Sequence, residues 1–169
     1  WRRDSCWKVG VLGVSDTLAL FFDGLAEPQN PGVACYGFVV LDEGGEVIGE
    51  GKGLAGEPFR PGSTNNRAEY VGLIEGLKWV VLTCPEANLV VNGDSQLVIR
   101  QMRGEYAVRS PNLVSLHGEA RALARRVGRV RFEWIPRKEN ELADARSVQA
   151  YEEYWRSQGR DPPPMRFRR

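Results

Sequence analysis

The sequence is poor in lysine, histidine and cysteine, and it contains no long apolar run. Lys8, Lys52, Lys78 and Lys138 are its only lysines, so nearly all positive charge is carried by arginine. Guanidinium groups suit bidentate phosphate recognition, although genome composition or a hot habitat gives the same bias. Cys6, Cys35 and Cys84 are far apart, odd in number and without metal-ligand spacing. They read as free, mostly buried thiols in a reducing compartment, with one disulfide open to a hyperthermophile. With a single histidine as well, the chain has no Cys or His cluster for a softer metal. Its apolar runs are too short to cross a bilayer, and no signal-peptide pattern opens it. The expectation is a cytoplasmic protein that does not engage a membrane, trimmed or processed to begin at Trp1. Net charge is only +1, so affinity for nucleic acid has to come from local clusters.

What is present is the pattern of one α/β domain. Thr17–Phe22 reads as a strand buried on both faces, closed by Asp23-Gly24 and followed by a loop over Leu25–Gly32. Val33–Leu41 and Glu46–Ala55 flank Asp42-Glu43-Gly44-Gly45, a hairpin signature. A helix capped by Ser63 or Thr64 runs to about Leu82, and Asn88–Gly93 is another buried strand. A short helix from Gln96 and a longer one after Ser110-Pro111 come next. An alternating strand (Val130, Phe132, Trp134) and a last helix, Glu139 to about Trp155, complete the pattern. This divides the chain into an N-terminal extension (1–16), a domain (17–156) and a Pro/Arg-rich tail (157–169) read as extended or disordered, with docking on the sheet edge, nucleic-acid contact and partner binding left open for Met165-Arg166-Phe167. The order predicts a mixed sheet, a hairpin meander first and crossover units after it.

Four carboxylates stand at positions where a charge needs a reason. Asp23 and Asp94 close buried strands, where open α/β sheets hold ligands, though each also reads as a turn or cap residue. Glu69 lies just inside a helix whose next two turns carry Gly72 and Gly76. Each glycine costs roughly 1 kcal/mol against alanine, a cost that close approach to a sheet would explain. Asp144 heads a stripe continued by Val148, Tyr151 and Trp155, and a charge on a buried face needs a partner or a metal. Four inward carboxylates would repel one another, and oxygen-only ligands suit Mg²⁺ or Mn²⁺.

Phe22-Asp23-Gly24, Asn30-Pro31-Gly32, Thr64-Asn65-Asn66-Arg67-Ala68-Glu69, Asp94-Ser95-Gln96 and Glu139-Asn140-Glu141-Leu142-Ala143-Asp144 resemble, in order, the successive motifs of type 1 ribonuclease H. The likeness runs from about Thr17 to Trp155 and is closest to the compact archaeal and actinobacterial branch. It implies a ribonuclease H-like fold, a five-stranded mixed sheet flanked by helices. It further implies hydrolysis of the RNA strand of RNA–DNA hybrids with two Mg²⁺ or Mn²⁺ ions, giving 5′-phosphate and 3′-hydroxyl ends. Asp23, Glu69, Asp94 and Asp144 become the catalytic metal ligands by this resemblance. Substrate contacts carried over with it are Gly24, Asn30, Thr64, Asn65, Asn66, Arg67, Ser95, Gln96, Arg137 and Lys138. The partner is the hybrid duplex, with double-stranded RNA left open, and the protein is expected to be a monomer.

Two departures from the family pattern stand out. The short segment Trp134–Glu139 lacks the loop histidine some members carry, and His117 reads as a surface residue beside a helix stripe. Turnover is therefore expected to lean on the metals. The basic helical handle is also missing, since Arg103-Gly104-Glu105-Tyr106 runs almost straight into Ser110. Arg121, Arg125, Arg126, Arg129 and Arg131 are either a substitute basic surface or a solvated face. Three other classes compete: a non-catalytic hybrid-binding module, another nuclease or integrase of the superfamily, and a structural partner protein. The first predicts a broken carboxylate set, the second lacks the combination of TNN and DSQ, and the third leaves Asp144 unexplained.

Overall fold

The computed structural model describes residues 17–167; the N-terminal extension, with Cys6, and Arg168 and Arg169 lie outside the described residues. Five strands form one mixed sheet in the order β3-β2-β1-β4-β5. They are β1 (Thr17–Glu27), β2 (Val33–Leu41), β3 (Val47–Leu54), β4 (Asn88–Gly93) and β5 (Arg129–Trp134). β1, β2 and β3 pair antiparallel, whereas β4 pairs parallel with both β1 and β5. The helices among the described residues are α1 (Asn65–Thr83), α2 (Gln96–Met102), α3 (Pro111–Ala124) and α4 (Glu141–Ser157), with a 3₁₀ turn at Arg137–Glu139. This is the ribonuclease H-like fold expected from the sequence. No helix among the described residues is long and apolar enough to cross a membrane.

β1 is longer than its apolar run predicts. Leu25–Glu27 continue the strand instead of forming a loop, because Val33–Cys35 of β2 pair with them. Its parallel partner stops sooner, the last β1–β4 pair being Phe22 with Gly93. The strand is also less two-sided than its sequence suggests: Leu18, Leu20 and Phe22 are buried, while Ala19 and Phe21 are only half-buried.

Helices cover the two faces of the sheet. Leu18, Leu20, Phe22, Phe38 and Val40 meet the α1 residues Tyr70, Leu73, Ile74 and Leu77 in the main core. On the other face, Leu25, Val33 and Cys35 pack against Ala150, Tyr151 and Trp155 of α4. Burial pushes the free Cys35 thiol up to about 12, which keeps it protonated. Cys84 is buried in the main core.

Of the readings the sequence leaves open for the tail, the structure has it docked rather than disordered. It forms no core of its own, but Met165 packs on the Leu25/Val33/Cys35 cluster. The Tyr151 hydroxyl donates to the Pro163 carbonyl at 3.1 Å, and the Arg160 guanidinium lies 5.5 Å from the Trp155 ring centre. Three consecutive prolines already favour the extended form, so docking them costs little conformational entropy.

Candidate metal centre and nucleic-acid cleft

Strand register brings the first two carboxylates together. Asp23 and Asp94 each come directly after the last paired residues of β1 and β4, Phe22 and Gly93, and so emerge side by side at the carboxyl ends of parallel strands. That is the edge at which open α/β sheets bind ligands. Asp23 is fully buried, and its Oδ2 accepts from Ser147 Oγ at 2.9 Å. Asp94 is half-buried, and its backbone carbonyl accepts the Trp134 indole N–H at 3.1 Å.

Glu69 arrives from α1, and its delivery depends on missing side chains. A Cβ at Gly24 would lie 2.2 Å from the Glu69 backbone nitrogen. One at Gly72 would sit 3.0 Å from the Asp23 carbonyl oxygen and 3.2 Å from that of Gly37. The helix therefore rides directly on the β1–β2 backbone, the close approach its glycines suggest. Thr64 caps it, accepting from the Arg67 N–H at 3.2 Å. Ser63, the other candidate cap, is instead buried and donates to the Gly32 carbonyl at 2.6 Å. One carboxylate oxygen each from Asp23, Glu69 and Asp94 lie within 4.8 Å of one another. Three carboxylate oxygens so close, two of them on buried residues, would repel one another when ionised, and a hard divalent cation is a group that would relieve the repulsion.

Asp144 stands beside this group and is not one of its three converging members. Ser147 links the two, donating to Asp23 and lying 2.8 Å from the Asp144 carbonyl. The α4 backbone is pressed against β2 at Gly37, where a Cβ would meet the Ala143 oxygen and Ser147 nitrogen at 2.6 Å. Asn140, fully buried, donates to the Phe22 carbonyl at 2.9 Å and fixes the start of α4 one residue before Asp23. The half-exposed Asp144 carboxylate lies 3.8 Å from the Arg137 guanidinium. The Asp144 oxygen facing it, Oδ1, is itself buried, and a pair this long adds little stability.

The carboxylates open into a cleft of about 540 Å³, whose lining includes Gly24, Asn30, Asn65, Glu69, Asp94, Ser95 and Arg137. Asn30 Oδ1 accepts the Asn65 N–H at 3.2 Å, joining the β1–β2 loop to the N-terminus of α1. Ser95 caps α2 by accepting from Val98 N–H at 3.2 Å, and Gln96 is exposed on the first turn. Asn66 is exposed and Lys138 stands exposed beside Arg137. Arg67 turns away, its Nε donating to the Ala55 carbonyl.

Trp134 also lines the cleft, as does Phe167 from the tail segment for which the sequence leaves docking and nucleic-acid contact open. Alternation along β5 suggests an inward Trp134, but the ring is exposed at the sheet edge. Ser147 has a readable signal, three residues after Asp144 and so on the same side of α4. His117 does not line the cleft. It is half-buried, not a surface residue, with Nε2 3.2 Å from the Gln101 carbonyl and its ring edge-on to Tyr70. Arg121, Arg125 and Arg129 border a separate shallow depression with Met102 and Phe132.

Comparison with known proteins places this geometry. The family model described as "Reverse transcriptase-like" matches residues 21–150. The solved N-terminal RNase H domain of Rv2228c from Mycobacterium tuberculosis is 35% identical, with a TM-score of 0.76 over 85% of this chain and 99% of that one. The chain belongs to the ribonuclease H family. Within this family, the Bifunctional protein Rv2228c of M. tuberculosis is 39% identical over 140 residues, 82% of this chain and 36% of that protein. The chain thus spans little more than a third of the mycobacterial relatives' length. Ribonuclease HI of Halobacterium salinarum is 33% identical over 133 residues, covering 79% of this chain and 63% of that protein. The ribonuclease H1 called LC11-RNase H1, solved with an RNA/DNA hybrid, is 30% identical with a TM-score of 0.73 over 81% and 98% of the two chains.

Proposed function

We propose that the chain is an endoribonuclease that hydrolyses the RNA strand of RNA–DNA hybrids with two divalent ions, Mg²⁺ or Mn²⁺, leaving 5′-phosphate and 3′-hydroxyl ends. The observation that carries this reading is the convergence of Asp23, Glu69 and Asp94 within 4.8 Å at the strand ends. Its support from kin is a ribonuclease H1 of the same fold solved with such a hybrid. Asp23, Glu69, Asp94 and Asp144 would hold the ions, which when bound activate water and stabilise the leaving oxygen.

The protein's own residues do the rest. Ser147 fixes one oxygen of Asp23, leaving the other directed by strand geometry. Asn30, Asn65 and Ser95 present neutral hydrogen-bonding groups along the cleft, which suits the 2′-hydroxyls and base edges of a wide minor groove. Gly24 lines the cleft, so its backbone would face that duplex. Thr64, Asn66 and Gln96 sit at or near two helix N-termini, where backbone N–H groups favour phosphate, while Arg67, bound to the Ala55 carbonyl, would act only by its charge. Arg137 and Lys138 supply positive charge beside Asp144. With His117 bound to Gln101 away from the cleft, no imidazole serves as a proton shuttle. We take the protein to act as a cytoplasmic monomer.

Incubation with labelled RNA–DNA, RNA–RNA and DNA–DNA duplexes, with and without Mg²⁺ or Mn²⁺, tests the proposal. Metal-dependent cutting of the hybrid's RNA strand, lost in Asp94→Asn, is the expected result. Metal-independent cutting, or an undiminished mutant, would sink it; cutting of RNA–RNA would widen the substrate class.

A further inference from the structure

Glu27 is an acidic residue with 1% of its surface exposed, and no part of the metal centre uses it. Its two carboxylate oxygens accept the backbone N–H groups of Arg166 at 2.7 Å and Phe167 at 2.8 Å. A buried carboxylate is tolerated when hydrogen bonds replace water, and here both come from the tail. The consequence is positional. Phe167 lines the same cleft as Glu69, Asp94 and Trp134, yet its ring is 62% exposed. An apolar ring held out over a cleft by two charge-assisted bonds does nothing for the core, which Met165 already completes.

We infer that the C-terminal strap is a wall of the substrate cleft, with Phe167 a duplex-contacting residue that packs into the minor groove and Glu27 the residue that positions it. The inference rests on the hybrid-hydrolysis reading. The neighbours decide the part of the duplex it meets. Asn30 and Asn65 are neutral amides, and an A-form-like minor groove offers sugar faces and base edges rather than a ridge of phosphates. A ring covered there removes apolar surface from water on binding.

Steady-state cleavage and fluorescence anisotropy with an RNA–DNA hybrid test this, using the full chain, Phe167→Ala, Phe167→Trp, Glu27→Gln and the Phe167→Ala/Glu27→Gln double variant. Phe167→Ala should raise KM and Kd roughly tenfold, the size expected for uncovering one aromatic ring, with kcat little changed. Because the lost contact is apolar, the slope of log Kd against log salt should stay the same. Phe167→Trp should restore binding. Glu27→Gln should weaken it in the wild-type background and add nothing in the Phe167→Ala background, as a positioning role requires. Unchanged KM and Kd in Phe167→Ala, or a gain in activity, would overturn the inference while leaving the functional reading intact. A wild type that neither binds nor cuts the hybrid would overturn both.

Discussion

Two helices press on opposite faces of the same strand pair, and they deliver their carboxylates differently. α1 lies against Gly24 of β1, sets its own Gly72 on the Asp23 and Gly37 carbonyls, and brings Glu69 into the trio at 4% exposure. α4 lies against Gly37 but leaves Asp144 half-exposed, outside the trio and facing Arg137. Both contacts remove a side chain so that backbones touch. They differ in how far each helix inserts its charge: α1 buries Glu69 almost wholly, whereas α4 inserts Ser147 and leaves Asp144 with one oxygen buried and the side chain 31% exposed. On the proposed two-ion reading, the deep carboxylate would be the committed ligand and Asp144 the one placed to respond to substrate.

Conservative amide substitutions test this difference most strongly. Glu69→Gln should lower metal-dependent hydrolysis by on the order of a hundredfold or more, since even groups that merely support a metal ligand are worth about ten- to a hundredfold. Asp144→Asn should cost distinctly less, and equal losses in the two kcat values would break the comparison. Gly72→Leu attacks the α1 contact itself. With 3.0 Å between an added Cβ and the Asp23 carbonyl, the helix has to lift, at about 1–3 kcal/mol of stability by thermal melting and with loss of most of the activity. If both survive, close packing of α1 is not what delivers Glu69. Ser147→Ala should be milder, about tenfold in activity or metal affinity by titration, for about 1 kcal/mol of stability. An Asp23 untroubled by that loss would show that α4 contributes only its Asp144. The smallest effect concerns Cys35: raised to about 12, its thiol should resist alkylation at pH 8 in the native protein and react once unfolded.

The same contrast explains what the sequence makes legible. Glu69 with Gly72 and Gly76 is local, one helix turn after another, and periodicity exposes it. Asp23 and Asp94 are legible because each ends an apolar run. Glu27 and Trp134 are not, and for Phe167 the sequence leaves several fates open, because their meaning comes from long-range pairing. Val33 extends β1 to Glu27, β5 pairs Trp134 with Gly93, and Glu27 captures a tail whose composition reads as unstructured. His117 reads as a surface residue for a related reason, since Gln101 and Tyr70, which half-cover it, lie on other helices. Composition measures what a segment offers alone, and a strap of prolines offers little until a buried carboxylate receives it.

The pairing of Phe22 with Gly93 has a consequence for quality control of the folded chain. A slip of one residue between β1 and β4 would turn every β1 side chain to the opposite face. Asp23 would then point at the α1 backbone, where Gly24 now sits, and Leu18, Leu20 and Phe22 would leave the main core. Specific activity per molecule is thus a count of correctly registered sheets, and it should report misfolding before bulk secondary structure does.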